Sequence, residues 1–402
     1  MISSKEAMKL ILDELPIFSN EKINTLQSVG RILKEPIYAE RDQPPFDRVT
    51  MDGIAVCFAA LQKGVDQFTI ANTQFAGDTQ TTLKDDNYCI EIMTGAILPK
   101  NTNCIIPVEY IQIKEGIALV DKNYQPQKLQ YIHQQGSDHQ KHTEALKIGH
   151  KIEPIDISLI LSCGMKQILV SSDPKICIIS NGNELVAAGD PILPHQIRMS
   201  NGPAIMVMLE QQGFKNSQYI HLVDDKDIQK EVINNHLTSS DILILSGGVS
   251  MGQADFIPQV LQECGVKNIF HKVLQRPGKP MWFGIGPKKQ LIFALPGNPV
   301  STLTCCRHYV IQALQQAYGR NIFVNEYAQL QEEITFKANL TYFLPVKIIN
   351  SENGILKAYP IETNTSGDFV SLIGTDGYIE LASEPSLFKK SESLKFYRWK
   401  MP

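Results

Sequence analysis

Between about residues 172 and 320 the sequence alternates short apolar runs with amphipathic stretches, and that alternation leaves few folds open. Residues 175–179 read as a buried strand. Asn201 stands where a helix cap belongs, and Gly213 where that helix stops. A strand over 219–223, a helix over 227–237 and a strand over 241–245 come next. A helix over 256–264, strands near 269–274 and 290–294, and a long helix from Pro299 complete the series. Apolar strands joined by helices need cover on both faces, so this region predicts a doubly wound, mainly parallel sheet.

The flanks have a different texture. Residues 1–35 read as helical, with Met8, Leu10, Ile11, Leu12 and Leu15 on one face and a second short segment over 20–33. From 39 to about 132 there are short β-like runs (67–71, 88–94, 104–113, 116–120) separated by Gly, Pro, Asn and Asp. Residues 140–165 return to mixed helical character, with a helix over 155–163. The tail, 325–402, has strand runs at 333–336, 344–349 and 377–381 and turns at Glu352-Asn-Gly and Asp376-Gly, which predicts a small all-β domain. A chain of 402 residues accommodates these as separate domains.

Charge narrows the partners. Lys and Arg number 38 against 42 acidic residues, a formal net charge of −4, so neither nucleic acid nor an anionic membrane is expected as a partner. Any bound anion must be held by a local site. No apolar run approaches the ~20 residues that span a bilayer. The first residues mix acidic and basic side chains as an amphipathic helix does and a signal peptide does not, so a cytoplasmic protein is expected. The 8 cysteines include no C-x-x-C pair, which suits reduced, buried thiols.

Ligands of open parallel sheets bind at the C-terminal ends of the strands, so the loops there come first. Ser246-Gly-Gly-Val-Ser-Met-Gly252 joins a strand to a helix. Gly247, Gly248 and Gly252 allow backbone N–H groups to turn toward an anion, and Ser246 and Ser250 add hydroxyls. Arg276-Pro277-Gly278-Lys279-Pro280 is stiffened by its prolines and presents fixed cations, with Lys272 shortly before. In Leu295-Pro296-Gly297-Asn298-Pro299-Val-Ser301, Asn298 is a natural cap and Pro299 a natural first helical residue. Each alone is also what a structural turn looks like; three on one sheet edge point to a phosphate site. Glu184, Asp224 and Asp255 accompany these loops. Carboxylates beside a phosphate cradle are costly unless a cation is shared, which points to Mg2+, although a helix cap is the other reading for Asp255. Elsewhere, Met51-Asp52-Gly53 and Thr94-Gly95 place a carboxylate and a hydroxyl in tight turns. His139 and His142 have a suggestive spacing but no further ligands nearby, and read as solvent-exposed.

In order along the chain, PPFDRVTMDGIAV at 44–56, EIMTGAILP at 91–99, a GSD turn at 136–138, ISNGNEL at 179–185, SGGVSMGQAD at 246–255, RPGKP at 276–280 and LPGNPVS at 295–301 resemble the molybdopterin molybdenumtransferase family, MoeA in bacteria, which includes the gephyrin E domain. The resemblance covers nearly the whole chain. It implies an elongated, multidomain α/β plus β subunit: a helical stalk from 1–42 and 140–171, an inserted β domain at 43–139, an α/β molybdopterin-binding domain at 172–322 and a C-terminal β-barrel domain at 323–402. It also implies a homodimer in which Asp52 and Thr94 of one subunit face the α/β loops of the other.

The implied reaction takes adenylyl-molybdopterin and molybdate to molybdenum cofactor and AMP, with a molybdopterin adenylyltransferase as upstream donor. Under that resemblance the glycine loop and the 295–301 segment hold phosphate and anhydride, while Lys272, Arg276 and Lys279 attract molybdate. Asp52, Glu184, Asp224 and Asp255 bind Mg2+ and steer anhydride cleavage. The substrate's dithiolene supplies soft sulfur donors, so no cysteine cluster is needed. The chain departs from the family pattern at Arg276, where lysine is usual, at Asn183, at His133 and at Ser137. These departures bear on molybdate affinity, and whether tungstate is accepted is open. The rival readings are a molybdopterin adenylyltransferase, which needs no N-terminal 170 residues of this kind, and a non-catalytic dimeric scaffold, which needs no carboxylates or glycine loops.

Overall fold

The computed structural model describes residues 1–249, 256–319, 326–337, 339–365 and 367–399. The expectations for Ser250, Gly252 and Asp255 therefore lie outside the described residues. The chain forms two compact units: residues 1–22, 30–34 and 169–402 make one, and residues 23–29 and 35–168 make the other.

The larger unit is built on a six-stranded sheet in the order Ser217–Leu222, Ile176–Asn181, Ile242–Ser246, Leu291–Leu295, Trp282–Ile285, Lys267–His271. The first four strands are parallel, and the last two are antiparallel. Strand alternation sorts the side chains. Ile176, Ile178, Ile242, Ile244, Leu291 and Phe293 pack on one face with Ile205, Leu209 and Ile311. Cys177, Ile179, Leu243, Leu245, Ile292 and Ala294 pack on the other with Ile233, Leu237, Val260 and Leu261. Both faces are covered by helices, as a run of buried parallel strands requires, and each fully buried Ile or Leu contributes about 1.5–3 kcal/mol. The helices are Asn201–Gln211, Lys226–Ser239 and Ile257–Glu263, then Pro299–Cys305, which continues through a wide π turn at Cys306–Val310 into Ile311–Ala317. The strand Trp282–Ile285 falls outside the sequence expectation, and it is what gives the sheet its mixed edge.

A seven-stranded sheet runs Ile2–Ser3, Val273–Arg276, Thr341–Asn350, Leu356–Pro360, Glu326–Leu330, Ser393–Arg398, Gly377–Leu381, and Thr341–Asn350 also pairs with Gly377–Leu381, curling it into a barrel-like form. Leu330, Leu344, Val346, Ile379, Leu381 and Phe396 fill it. Val273–Arg276 belongs to this sheet, with Gln275 opposite Thr341 and Arg276 opposite Tyr342. The chain thus leaves one sheet at His271 and enters another at Val273. Lys272 is the turning residue, at φ 71°, and its N–H donates to the Met281 carbonyl at 2.8 Å.

The smaller unit carries a six-stranded sheet in the order Cys104–Pro107, Gly53–Val56, Tyr88–Ile92, Gln67–Gln74, Ile117–Val120, Ile111–Lys114. Ile54, Val56, Phe68, Cys89 and Ile106 face one core, and Val49, Ala55, Ile92 and Ile105 the other. The helical reading of 1–35 holds only for Ser4–Asp13. Asn20–Asn24 is a strand and Thr25–Gln27 a single 3-10 turn, which corrects the helix expected over 20–33. The reason is local polar competition. The Asn24 side chain accepts from the Leu26 N–H, and the Thr25 and Ser28 hydroxyls donate to the Met165 and Thr25 carbonyls. Within 140–171 the helix is Pro154–Ser162, flanked by strands Glu144–Leu146 and Gln167–Ser171. All 8 cysteines are free and all but Cys57 are buried, with Cys89, Cys104, Cys177 and Cys306 pushed up to about 12 by burial. Among the described residues no helix is long and apolar enough to cross a membrane.

Candidate functional site

The parallel strands of the larger unit end at Asn181, Leu222, Ser246 and Leu295, and the loops that follow line a cavity of about 740 Å³. Gly247 and Gly248 sit at φ 94° and 69°, a conformation open to glycine and costly for other residues. A Cβ on Gly247 would lie 2.5 Å from the Asn181 carbonyl oxygen. The Gly247 N–H is used internally, donating to the Leu295 carbonyl at 3.2 Å. Among the described residues no acceptor takes the N–H of Gly248, Gly297, Val300 or Ser301. These amides border the cavity at the start of the Pro299 helix, so they form an anion-receiving edge. Asn298 occupies the cap position, but its side chain makes no cap hydrogen bond.

Asn201 differs from its expected role as a cap. Ser200 holds the cap position, and Asn201 is the first helical residue. Its Nδ2 donates to Ser246 Oγ at 3.0 Å, to the Gly297 carbonyl at 2.7 Å and to Thr302 Oγ1 at 3.2 Å. One amide thereby ties the glycine loop to the 295–301 loop.

The cations come from the other sheet. Arg276 and Lys279 are exposed on the turn after Val273–Arg276 and line the cavity, whereas Lys272 does not line it. The Arg276 guanidinium lies 4.8 Å over the Tyr342 ring, a cation–π contact that limits its freedom. Tyr342, Thr363 and Thr365 add a wall from the C-terminal segment, and Arg198 lines the cavity while donating to the Ala187 and Asp190 carbonyls at 2.6 and 2.7 Å. Sequence reasoning missed Asn201, Arg198, Tyr342, Thr363 and Thr365. Of these, Asn201 reads in the sequence only as a cap, and Tyr342 lies near an expected strand; Arg198, in the two-residue strand Ile197–Arg198, and Thr363 and Thr365, in the C-terminal segment, offered no signal.

Two carboxylates border the same space. Asp224 accepts Asn181 Nδ2 at 2.6 Å and the Asn183 N–H at 3.1 Å, and its own N–H donates to Asn183 Oδ1 at 3.0 Å. Gln229 Nε2 completes the network by donating to Asn181 Oδ1 at 2.7 Å. Asn183 thus locks the loop to Asp224. Glu184 is exposed and no described donor engages its carboxylate. No group of three or more His, Cys, Asp or Glu side chains placed to hold a metal occurs among the described residues. A hard cation here needs oxygen ligands from a bound substrate as well.

Asp52 and Thr94 belong to the smaller unit. Asp52 Oδ1 accepts the Thr94 N–H at 2.6 Å, and this bond with that from the Thr94 hydroxyl holds the carboxyl below the usual range. Gly53 has no room for a side chain: a Cβ would press on the Ile106 carbonyl and lie 2.9 Å from Pro107 Cα. The turn is therefore fixed in shape, with an exposed carboxylate and hydroxyl at its tip. His133 bridges Arg48 (3.2 Å to Nδ1) and Asp138 (2.8 Å to Nε2). His139 contacts the Thr143 carbonyl at 3.3 Å.

Comparison with known proteins covers the chain almost end to end. The model "MoeA N-terminal region (domain I and II)" matches residues 2–164, "Probable molybdopterin binding domain" matches 177–316, and "MoeA C-terminal region (domain IV)" matches 327–397. A protein of Synechocystis sp. named molybdopterin molybdenumtransferase is 37% identical over 99% of this chain and 100% of its own length. One of the same name from Staphylococcus epidermidis is 29% identical over 96% of this chain and 93% of its own. The crystal structure of a molybdopterin biosynthesis moeA protein from Pyrococcus horikosii superimposes with a TM-score of 0.84 at 27% identity, covering 100% of both chains.

Proposed function

Because this chain belongs to the MoeA family of molybdopterin molybdenumtransferases, we propose that it makes molybdenum cofactor by inserting molybdate into adenylyl-molybdopterin and cleaving the adenylyl anhydride, with release of AMP. The observation that supports this reading is the meeting, on one cavity, of amides with no acceptor among the described residues, of Arg276 and Lys279, and of Glu184 and Asp224. Each takes a part of a doubly anionic substrate pair.

The Gly247–Gly248 loop, with Ser246, Ser250 and Gly252 in the same segment, and the Pro296–Ser301 end of the helix receive phosphate oxygens. Arg276 and Lys279, on the turn of Pro277 and Gly278, receive molybdate and neutralise the charge that develops as the anhydride breaks. Lys272 contributes by setting the turn from one sheet into the next. Glu184, Asp224 and Asp255, with Asp52 of a second copy, would hold Mg2+ together with substrate oxygens, and the ion would supply Lewis-acid polarisation of the phosphoryl group. Asp224 is held in place by Asn181 and Asn183, which orients it at no cost during reaction.

The rest of the reading follows the family. The chain works as a homodimer, Asp52 and Thr94 of one copy completing the cavity of the other, with an adenylyltransferase supplying substrate. The segments 1–42, 43–139, 140–171, 172–322 and 323–402 are its structural divisions. Incubating purified protein with adenylyl-molybdopterin, Mg2+ and molybdate should release AMP in a molybdate-dependent manner, and Asp52→Asn should slow it. No such AMP from folded protein would refute the reading; adenylylation of molybdopterin from ATP would favour the adenylyltransferase instead.

A further inference from the structure

At the base of the 276–280 turn, at the margin of the cavity, lies a buried amide with no part in the proposed reaction. Gln275, in the strand Val273–Arg276, is 2% exposed, and its side chain reaches the helix from Pro299 and the π turn that continues it. Its Nε2 reaches the Pro277 carbonyl at 3.2 Å, the Gly278 carbonyl at 3.2 Å and Cys305 Sγ at 3.3 Å. Its Oε1 accepts the Tyr309 hydroxyl, and Tyr309 is itself fully buried in the π turn Cys306–Val310. Both ends of one side chain are thus committed, one to the turn and one to the helix. A Cβ on Gly278 would meet Cys305 Sγ and lie 2.8 Å from Gln275 Nε2, so the turn is seated against this brace without spare room.

Arg276 immediately follows Gln275, and Lys279 follows Gly278. The bonds to the Pro277 and Gly278 carbonyls therefore fix the turn from behind while its cationic side chains project into the cavity. An apolar residue at 275 fills the same volume and leaves those carbonyls and the Tyr309 hydroxyl without that partner. The turn then has more than one pose.

We propose that Gln275 is a positioning residue which, through Tyr309 and Cys305, sets the pose of the Arg276–Lys279 turn and thereby the enzyme's affinity for its oxyanion substrate. The proposal rests on the molybdenumtransferase reading above. It separates two Michaelis constants. The turn receives molybdate, and the glycine loop with the Pro299 helix end receives the phosphate, so losing the brace affects the first and spares the second.

The test is Gln275→Met, close in volume and without hydrogen-bonding nitrogen, beside Tyr309→Phe, which removes a single oxygen. Both are assayed as full-length protein for molybdate-dependent AMP release at varied molybdate and at varied adenylyl-molybdopterin. The expected result is a rise of roughly ten- to a hundredfold in KM for molybdate with Gln275→Met, the scale of losing a hydrogen bond to a charged ligand. A smaller rise is expected with Tyr309→Phe, and KM for adenylyl-molybdopterin stays within about twofold in both. A general packing defect behaves differently: it lowers the active fraction, reducing apparent kcat and leaving both KM values alone. That pattern, or two variants with wild-type kinetics, overturns the proposal while leaving the reaction in place. If Gln275→Met does not fold, Tyr309→Phe with unchanged KM for molybdate overturns it alone. Wild-type protein without molybdate-dependent AMP release overturns the proposal and the reaction together.

Discussion

Gly247→Ala tests whether the glycine loop is shaped for an anion or is only a permissive turn. The residue sits at φ 94°, where a side chain costs about 1–2 kcal/mol. The added Cβ also lies 2.5 Å from the Asn181 carbonyl oxygen, against an ordinary contact of at least 3.4 Å, so one of them must move by about 0.9 Å, the difference of the two. The combined cost is about 2–3 kcal/mol, and for a unit of this size that lowers Tm by roughly 4–12 °C. Asn181 cannot move alone, because its Nδ2 holds Asp224 at 2.6 Å and its Oδ1 is held by Gln229 at 2.7 Å. A displacement of that size at the carboxylate should lower kcat/KM on the order of a hundredfold. Gly297→Ala is the control: its Cβ would find only Gly247 Cα, at an ordinary 3.6 Å. Its Tm should stay within about 2 °C of the parent. Thermal denaturation and AMP release, measured on the same preparations, decide the matter. Equal melting and equal activity for Gly247→Ala and the parent protein would show that the loop tolerates a side chain, and the anion reading of it would fail.

Three more expectations follow from single contacts. Tyr342→Leu removes the ring under Arg276, a contact worth about 0.5–1 kcal/mol, so KM for molybdate should rise about two- to fivefold with Tm little changed; an unaltered KM counts against a fixed guanidinium. The Thr94 bonds lower the Asp52 pKa, so their contribution is complete above the ordinary carboxylate range and is lost as pH falls through the depressed value. Urea denaturation should therefore find Asp52→Asn less stable than the parent at neutral pH and equal to it in strong acid. His308 is buried, with Nδ1 3.2 Å from the Tyr378 hydroxyl, and burial pushes it down from 6.5 to about 3. The stability tied to its neutral form is complete above 6.5 and falls by about 1.4 kcal/mol per pH unit toward 3. His308→Gln should flatten that slope in denaturation curves taken across the range, and parallel slopes would exclude the assignment.

Legibility in the sequence followed periodicity. The runs ending at Asn181, Ser246 and Leu295 are nearly all apolar, so the parallel sheet and its loops could be read directly, and Gly247 and Pro299 came with them; Arg276, read as a third loop on that edge, belongs instead to the barrel-like sheet. The strand Asn20–Asn24 was misread because two turns' worth of mixed polarity fits a helix as well as an edge strand. Lys272 groups with Arg276 by proximity in the sequence; in the structure its backbone makes the turn between sheets, and Arg276 and Lys279 are the cations of this group that line the cavity. Asn201 read as a cap because asparagine at a helix start usually is one. Only the approach of two loops, from 246 and 297, gave its amide other acceptors. Gln275 and Thr363 carry no local pattern at all. The position of Gln275 depends on a strand that pairs with residues more than sixty positions later, and Thr363 reaches the cavity from the segment after the strand Leu356–Pro360.

That pairing bears on how a chain of net charge −4 can hold an anion. Two exposed cations on a free turn would be screened within about 8 Å at physiological salt and would spend side-chain entropy on every binding event. Here the turn is a continuation of a strand whose Gln275 and Arg276 are in register with Thr341 and Tyr342. The Tyr342 ring lies under the guanidinium, and Gln275 secures the turn's carbonyls. The ordering cost is met on folding and not on binding, which is the condition for electrostatic preorganisation. The amides proposed to receive phosphate come from the α/β sheet, while the barrel-like sheet holds Arg276 in place. On that proposal, a sequence change inside the C-terminal barrel-like sheet, far along the chain from any motif, should act on molybdate binding through the strand at 273–276, and a Tyr342 variant with unchanged KM for molybdate would count against it.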